Sequence, residues 1–80
     1  MEATLLLSQL KPGQLATVAS LESKDPASLR LREMGLLPGT RIELLRFAPL
    51  GDPLEVRVRG FCLSLRRKDA SQVTVNPLEA

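Results

Sequence analysis

The chain has 80 residues, a formal net charge of +2 from 11 basic and 9 acidic side chains, and no histidine. This length fits one domain, 1–80, and the mixed charge lacks the dense basic stripe of proteins bound to phosphate backbones. A single cysteine excludes an intrachain disulfide. The N-terminal apolar run stops at Ser8, too early for a membrane span or signal peptide, so we expect a cytoplasmic protein without direct membrane insertion.

The first quarter of the chain predicts a capped turn followed by a strand. Thr4 is suited to cap a short turn that carries several leucines, and the Lys-Pro-Gly sequence at 11–13 ends that turn. Residues 14–22 place apolar side chains among small polar ones. This pattern favours a first strand over 14–22.

A single helix is predicted next, from residues 25–26 to Met34. Aspartate followed by proline is typical of a helix start, because the carboxylate accepts from free amides and proline lacks only an unused donor. Gly35 supplies the left-handed residue that commonly ends a helix. At 100° per residue Leu29 lies opposite the face expected to be buried, which is formed by Ala27, Leu31 and Met34.

The second half of the chain is predicted to be mostly β. The further strands are expected at 41–47, 54–59, 61–66 and 73–75. In the strand at 41–47 the alternation of polar and apolar residues changes parity after Leu44, so we expect a β-bulge near 44–45. Two prolines and a glycine make 48–53 a loop, Gly60 marks a tight turn, and 68–71 forms one helical turn.

Five short strands with one helix between the first and second are too few for two packed sheets. Closure of such a sheet removes its exposed edges, which favours a small SH3-like barrel, mainly β with one short helix. Aromatic residues are almost missing, so the core must be aliphatic. The only two, Phe47 and Phe61, fall on positions expected to point inward.

The residue types of catalysis and metal binding are scarce. Without histidine the commonest general base and transition-metal ligand is missing, and the lone Cys62 is expected to be structural. No glycine motif for phosphate binding occurs. The sequence therefore predicts a protein that is not an enzyme and has no catalytic residue, no cofactor and no metal site.

Two glutamates on outward strand positions have two interpretations. Glu43 and Glu55 stand among arginines on strands that should pair, which favours cross-strand ion pairs on a solvated face. The alternative is an acid/base pair or a site for a hard metal ion. We expect ion pairs with Arg41, Arg57 and Arg59.

Three blocks of sequence carry a family likeness. They are LREMGLLPGT at 31–40, APLGDP at 48–53 and VRGFCLSLRRKDA at 58–70. In order and spacing they resemble the FeoA family, small cytoplasmic proteins of bacterial ferrous-iron transport, over about 10–75. The resemblance implies an SH3-like accessory protein that binds FeoB, a membrane permease with a GTP-binding domain, and influences transport or nucleotide turnover.

Four residues are candidate contacts for that partner. Leu29 faces away from the predicted core, and Leu50 stands at the tip of the proline-rich loop. Each also has an ordinary explanation, as a single exposed leucine or as part of a loop that folds back over the barrel. Arg57 and Arg59 project from one side of a strand toward an acidic partner or lipid headgroups, unless neighbouring glutamates neutralise them.

Other functions remain open at this stage. The same barrel occurs at the end of iron-dependent repressors, but this chain lacks their helix-turn-helix and metal-binding parts. A nucleic-acid-binding SH3-like module would need aromatic stacking platforms, which are scarce here, so we expect no nucleic acid partner. A metal-binding chaperone would hold stoichiometric metal. Weak self-association is the one further partnership left open.

Overall fold

The computed structural model describes residues 4–21 and 26–78. The predicted helix start at Asp25 and the predicted strand end at Glu22 lie outside these residues. The elements are β1 (Leu5–Leu6), β2 (Leu15–Leu21), α1 (Pro26–Glu33), β3 (Arg41–Phe47), β4 (Leu54–Val58), β5 (Phe61–Leu65), α2 (Arg67–Ala70) and β6 (Val73–Pro77), with a 3₁₀ turn at Leu7–Gln9.

The strands form one antiparallel sheet in the order β1-β6-β2-β3-β4-β5. Inward side chains of five strands are buried in a single apolar cluster. A flat sheet would need a second layer to bury that face, but the described helices have only eight and four residues. The sheet therefore curls around its own core, and the prediction of a mainly β fold with one short helix is confirmed.

The core is aliphatic, as predicted, but one of the two phenylalanines does not belong to it. Phe47 is partly buried against the core, and the Arg67 guanidinium lies 5.1 Å from its ring centroid. Phe61 is 45% exposed although it stands opposite the fully buried Val58. Its predicted burial is wrong because β5 is an edge strand, with only β4 beside it in the sheet.

The N-terminal turn contains a strand that the sequence pattern did not predict, which raises the number of strands to six. Leu5 and Leu6 pair with Val75 and Thr74 of β6, and the following 3₁₀ turn begins where the Leu6 amide donates to Gln9 Oε1 at 2.8 Å. A two-residue strand has no alternation to detect. This strand forms because β6 pairs with it in the sheet.

The predicted bulge in β3 is confirmed. Leu44 pairs with Val56 and Arg46 pairs with Glu55, so that Leu45 is left without a partner on β4. The extra residue restores the alternation, and Phe47 again pairs with Leu54.

Helix α1 packs as predicted, with one addition. Leu31 is buried, and Met34, just beyond the helix, packs against the core. The buried side also includes Ser28, whose hydroxyl donates to Gln72 Oε1 at 2.8 Å. That hydrogen bond satisfies the buried hydroxyl and fixes the helix to the residue that precedes β6.

Candidate partner-binding groove

The register of the sheet places one row of side chains across four strands. Leu15 pairs with Glu43, Glu43 with Arg57, and Arg57 with Cys62. Residues directly opposite each other on antiparallel strands share a face, so this row lies on the outer surface of the barrel. The row brings together residues that are up to 47 positions apart in sequence.

An open groove of about 350 Å³ lies beside this row. Leu15, which is 39% exposed, supplies apolar surface, and three arginines, Arg41, Arg57 and Arg59, line the groove together with one carboxylate, Glu43. We call this the basic groove. Apolar surface between cations fits a partner that presents carboxylates around an apolar side chain.

The charges in the basic groove do not cancel. Arg57 Nη1 lies 3.6 Å from Glu43 Oε1, an ion pair of the kind predicted from the sequence. Arg41 and Arg59 form no ion pair with any residue in the described part of the chain. The groove therefore keeps an excess of positive charge.

The second predicted ion pair has a different partner. Glu55 Oε1 lies 3.4 Å from Arg46 Nε, and not next to Arg57 or Arg59 as expected. The bulge at Leu45 explains this, because it shifts Arg46 into register with Glu55. The interpretation of Glu43 and Glu55 as ion-pairing residues is confirmed, and the arginine assigned to Glu55 is corrected.

Arg57 and Arg59 line the same groove, but not for the reason given by the sequence. Strand β4 ends at Val58, so the prediction that Arg59 continues it is wrong. Arg59 and Gly60 form a two-residue turn in which both have positive φ, +52° and +88°, as in a type I′ hairpin. That turn brings the Arg59 side chain to the groove.

Leu29 and Leu50 are exposed and belong to other surfaces. Leu29 is 49% exposed on α1, and Leu50 is 96% exposed at the loop tip. The loop folds back without covering Leu50: the Arg67 amide donates to Asp52 Oδ1 at 3.0 Å, and Arg67 Nε donates to the Gly51 carbonyl at 3.2 Å. Neither leucine lines the basic groove.

Leu15 and Arg41 were not among the contact residues predicted from the sequence. Leu15 lies in a predicted strand whose inward face the sequence pattern left open, and Arg41 was assigned only to ion pairing. Leu15 lies near Arg57 because β2 pairs with β3 and β3 pairs with β4. A local sequence pattern cannot predict such a contact. The exposure of Leu15 is therefore evident only in the folded chain.

No three His, Cys, Asp or Glu side chains among residues 4–21 and 26–78 come together as ligands for a metal ion. Cys62 is exposed on β5. Within the same ranges no helix is long and apolar enough to cross a membrane. The described residues form a small antiparallel β domain with a basic groove on its outer face, and that architecture defines its class.

Comparison with known proteins identifies the family. Residues 5–77 match the model of the FeoA domain, and the chain therefore belongs to the FeoA family of ferrous-iron transport proteins. It is 45% identical to the FeoA protein of Chlorobium tepidum, whose solution structure superposes with a TM-score of 0.85 over 94% of this chain and 71% of that one.

Two further relatives bear on fold and function. The Stenotrophomonas maltophilia FeoA, a zinc complex described as an SH3 domain protein, is 32% identical, with a TM-score of 0.80 over 89% of this chain and 88% of that one. The predicted SH3-like fold is thereby confirmed. A fusion of Fe(2+) transport protein A with the Fe(2+) transporter FeoB from Porphyromonas gingivalis is 36% identical over 86% of this chain. The chain spans only 8% of that relative's length.

The fold extends beyond the family. The IdeR protein of T. acidophilum shares it at 22% identity, with a TM-score of 0.82 over 95% of this chain and 35% of that one. At this identity the likeness concerns the fold alone.

Proposed function

We propose that this protein is a cytoplasmic accessory protein of ferrous-iron uptake, which binds a FeoB-like membrane permease at its GTP-binding domain and regulates it. The observation that carries the proposal is the fusion relative, in which a FeoA part homologous to this chain is covalently joined to FeoB. Two parts encoded as one chain are held at high effective concentration, which favours their contact. Such a contact requires a surface on this domain that suits the permease.

The basic groove is our proposed contact surface. Arg57 and Arg59 would meet acidic side chains of the permease, with Arg41 adding a third cation. Exposed charges of one sign accelerate encounter with an oppositely charged partner and set its orientation, while buried apolar contact supplies most of the affinity. Leu15 is the exposed side chain proposed for apolar contact in the groove, and Leu29 and Leu50 are proposed as further apolar contacts on other surfaces.

The test is binding of purified permease by charge variants of the groove. We expect Arg57→Gln combined with Arg59→Gln to weaken binding about tenfold at low salt, because two exposed charge contacts are lost. Added salt should shrink the difference. Arg46→Gln is the matched control: it removes an equally exposed arginine from the same face but outside the groove, and should leave affinity unchanged.

Leucine variants locate the apolar contact. Leu29→Asp and Leu50→Asp change exposed side chains, so both variants should stay folded. A variant that removes a central contact should lose at least tenfold in affinity. If both leucine variants and the double arginine variant bind the permease as the wild type does, the proposed contact surface is wrong.

The rival proposal is a nucleic-acid-binding or repressor-type module, whose fold this chain shares. A salt titration with labelled oligonucleotide separates the two. Steep loss of affinity with salt, from a tight complex at low salt, would favour the rival. The accessory role predicts no such complex, and it predicts altered GTP hydrolysis by the permease but no turnover by the isolated chain.

A further inference from the structure

Strand β5 has a free edge, and the hairpin geometry shows which of its backbone groups face outward. Val58 and Phe61 flank the two-residue turn and form its closing hydrogen-bonded pair. In an antiparallel ladder hydrogen-bonded pairs alternate with non-hydrogen-bonded ones. Phe61, Leu63 and Leu65 therefore bond to β4, whereas Cys62 and Ser64 direct their N–H and C=O groups away from it.

These outward groups have no backbone partner among residues 4–21 and 26–78. Cys62 and Ser64 are both exposed. Two residues with free N–H and C=O groups, spaced two apart, match the hydrogen-bonding repeat of another strand.

The edge of β5 also lacks the usual protection against strand addition. Edge strands are commonly very short, bulged, or carry charged residues or proline. The opposite edge strand, β1, has only two residues. Strand β5 has five residues, Phe-Cys-Leu-Ser-Leu, with an unbroken register and no charge or proline.

A groove of about 310 Å³ runs between this edge and helix α1. The partly buried Met34 gives it a small apolar floor above the buried Leu31 and Leu65, and Arg30 and Arg66 border it with one carboxylate, Asp69. The volume is at the small end for a ligand pocket, which suits side chains of an extended segment better than a whole small molecule. Neither arginine forms an ion pair with a described residue.

We infer that the edge of β5 is a docking site for an extended acidic segment of a partner protein, which adds as a seventh strand beside α1. Its backbone bonds to Cys62 and Ser64, its apolar side chain enters the groove, and its carboxylates meet Arg30 and Arg66. A second copy of this chain fits poorly. Antiparallel pairing of two β5 strands centred on Leu63 would bring Arg59 next to Arg67 of the other copy.

The first test uses a capped eight-residue peptide of alternating valine and glutamate, with a peptide carrying lysine in place of glutamate as control. Backbone amides are followed by hydrogen exchange and NMR. In the free protein the Cys62 and Ser64 amides should exchange fast and those of Leu63 and Leu65 slowly. The glutamate peptide should protect Cys62 and Ser64 and bind about tenfold more tightly than the lysine peptide at low salt.

The second test is the variant Ser64→Pro, with Ser64→Thr as its control. The Ser64 amide points away from β4, so proline there removes an edge donor without removing a bond of the hairpin. Ser64→Pro should stay folded and lose the peptide, and Ser64→Thr should keep it. Undiminished peptide binding by folded Ser64→Pro, or no protection of the wild-type Cys62 and Ser64 amides, would overturn the inference.

The inference is independent of the ferrous-iron assignment, because it uses only the edge geometry and the charges beside it. If Ser64→Pro binds the permease normally while the basic-groove variants do not, the proposed function stands and the β5 edge is not part of it.

Discussion

Strands β4 and β5 are neighbours joined by a two-residue turn, and their sequences alternate equally well. Leu54, Val56 and Val58 of β4 are all fully buried. The inward side chains of β5 grade from the buried Leu65 through the partly buried Leu63 to the exposed Phe61. The difference comes from position in the sheet, since β4 lies between two strands and β5 has only one neighbour.

This comparison shows how much the alternation of apolar and polar residues reveals about a strand. A period of two indicates that a segment is a strand with one apolar side, but the period is the same for a central and an edge strand. Burial also depends on what lies on both sides of the strand and above it. Helix α1 lies beside the Leu65 end of β5, where the side chain is buried. The Phe61 end lies away from α1, and its side chain is exposed.

The largest expected effect contrasts core positions of the two strands. Leu54→Ala should lower the free energy of unfolding by about 3 kcal/mol, because it leaves a cavity at a site with no exposure. Phe61→Ala removes a larger side chain but should cost only about 1 kcal/mol, because nearly half of that side chain is already in water. Urea unfolding measures both. Equal losses would show that Phe61 is covered in solution.

A smaller effect is expected at the turn that joins the strands. Gly60→Ala should cost about 1 kcal/mol, because φ is +88° there, although no atom obstructs the added methyl group. Arg59→Asn should raise stability by about 0.5 kcal/mol, since asparagine tolerates positive φ and Asn-Gly is the preferred type I′ pair.

Arg59→Asn also separates stability from binding. The variant removes one cation of the basic groove while improving the turn, so thermal unfolding should shift upward as permease affinity falls. A destabilised Arg59→Asn would show that the arginine contributes to folding through contacts other than its backbone conformation.

The smallest effect is expected for the ion pair between Glu43 of β3 and Arg57 of β4. A double-mutant cycle with Glu43→Gln and Arg57→Gln should give a coupling of about 0.5 kcal/mol or less, because both side chains are solvated. The coupling should fall further in 0.5 M salt. A coupling above about 1.5 kcal/mol that resists salt would mean that the pair is structural, and that Arg57 is not free to meet a partner.

The candidate site was predictable in part. Arg57 and Arg59 were selected from the sequence and do line one groove, but Leu15 and Arg41 join them only through pairing of β2 with β3. Leu29 and Leu50 were selected for exposure, and both are exposed. Contact of Leu29, Leu50, Arg57 and Arg59 with a partner stays a prediction that the binding experiments test.

Several features were predictable from local sequence: a helix ended by glycine, a bulge where the alternation of apolar and polar residues shifts, a turn at Gly60 and an aliphatic core. Each depends on neighbours within a few residues, so the chain carries the information locally. Long-range contacts instead determine that Leu5–Leu6 forms a strand, that Glu55 pairs with Arg46 and that Phe61 is exposed. These outcomes depend on which distant segments become neighbours, which is settled when the sheet curls around one core.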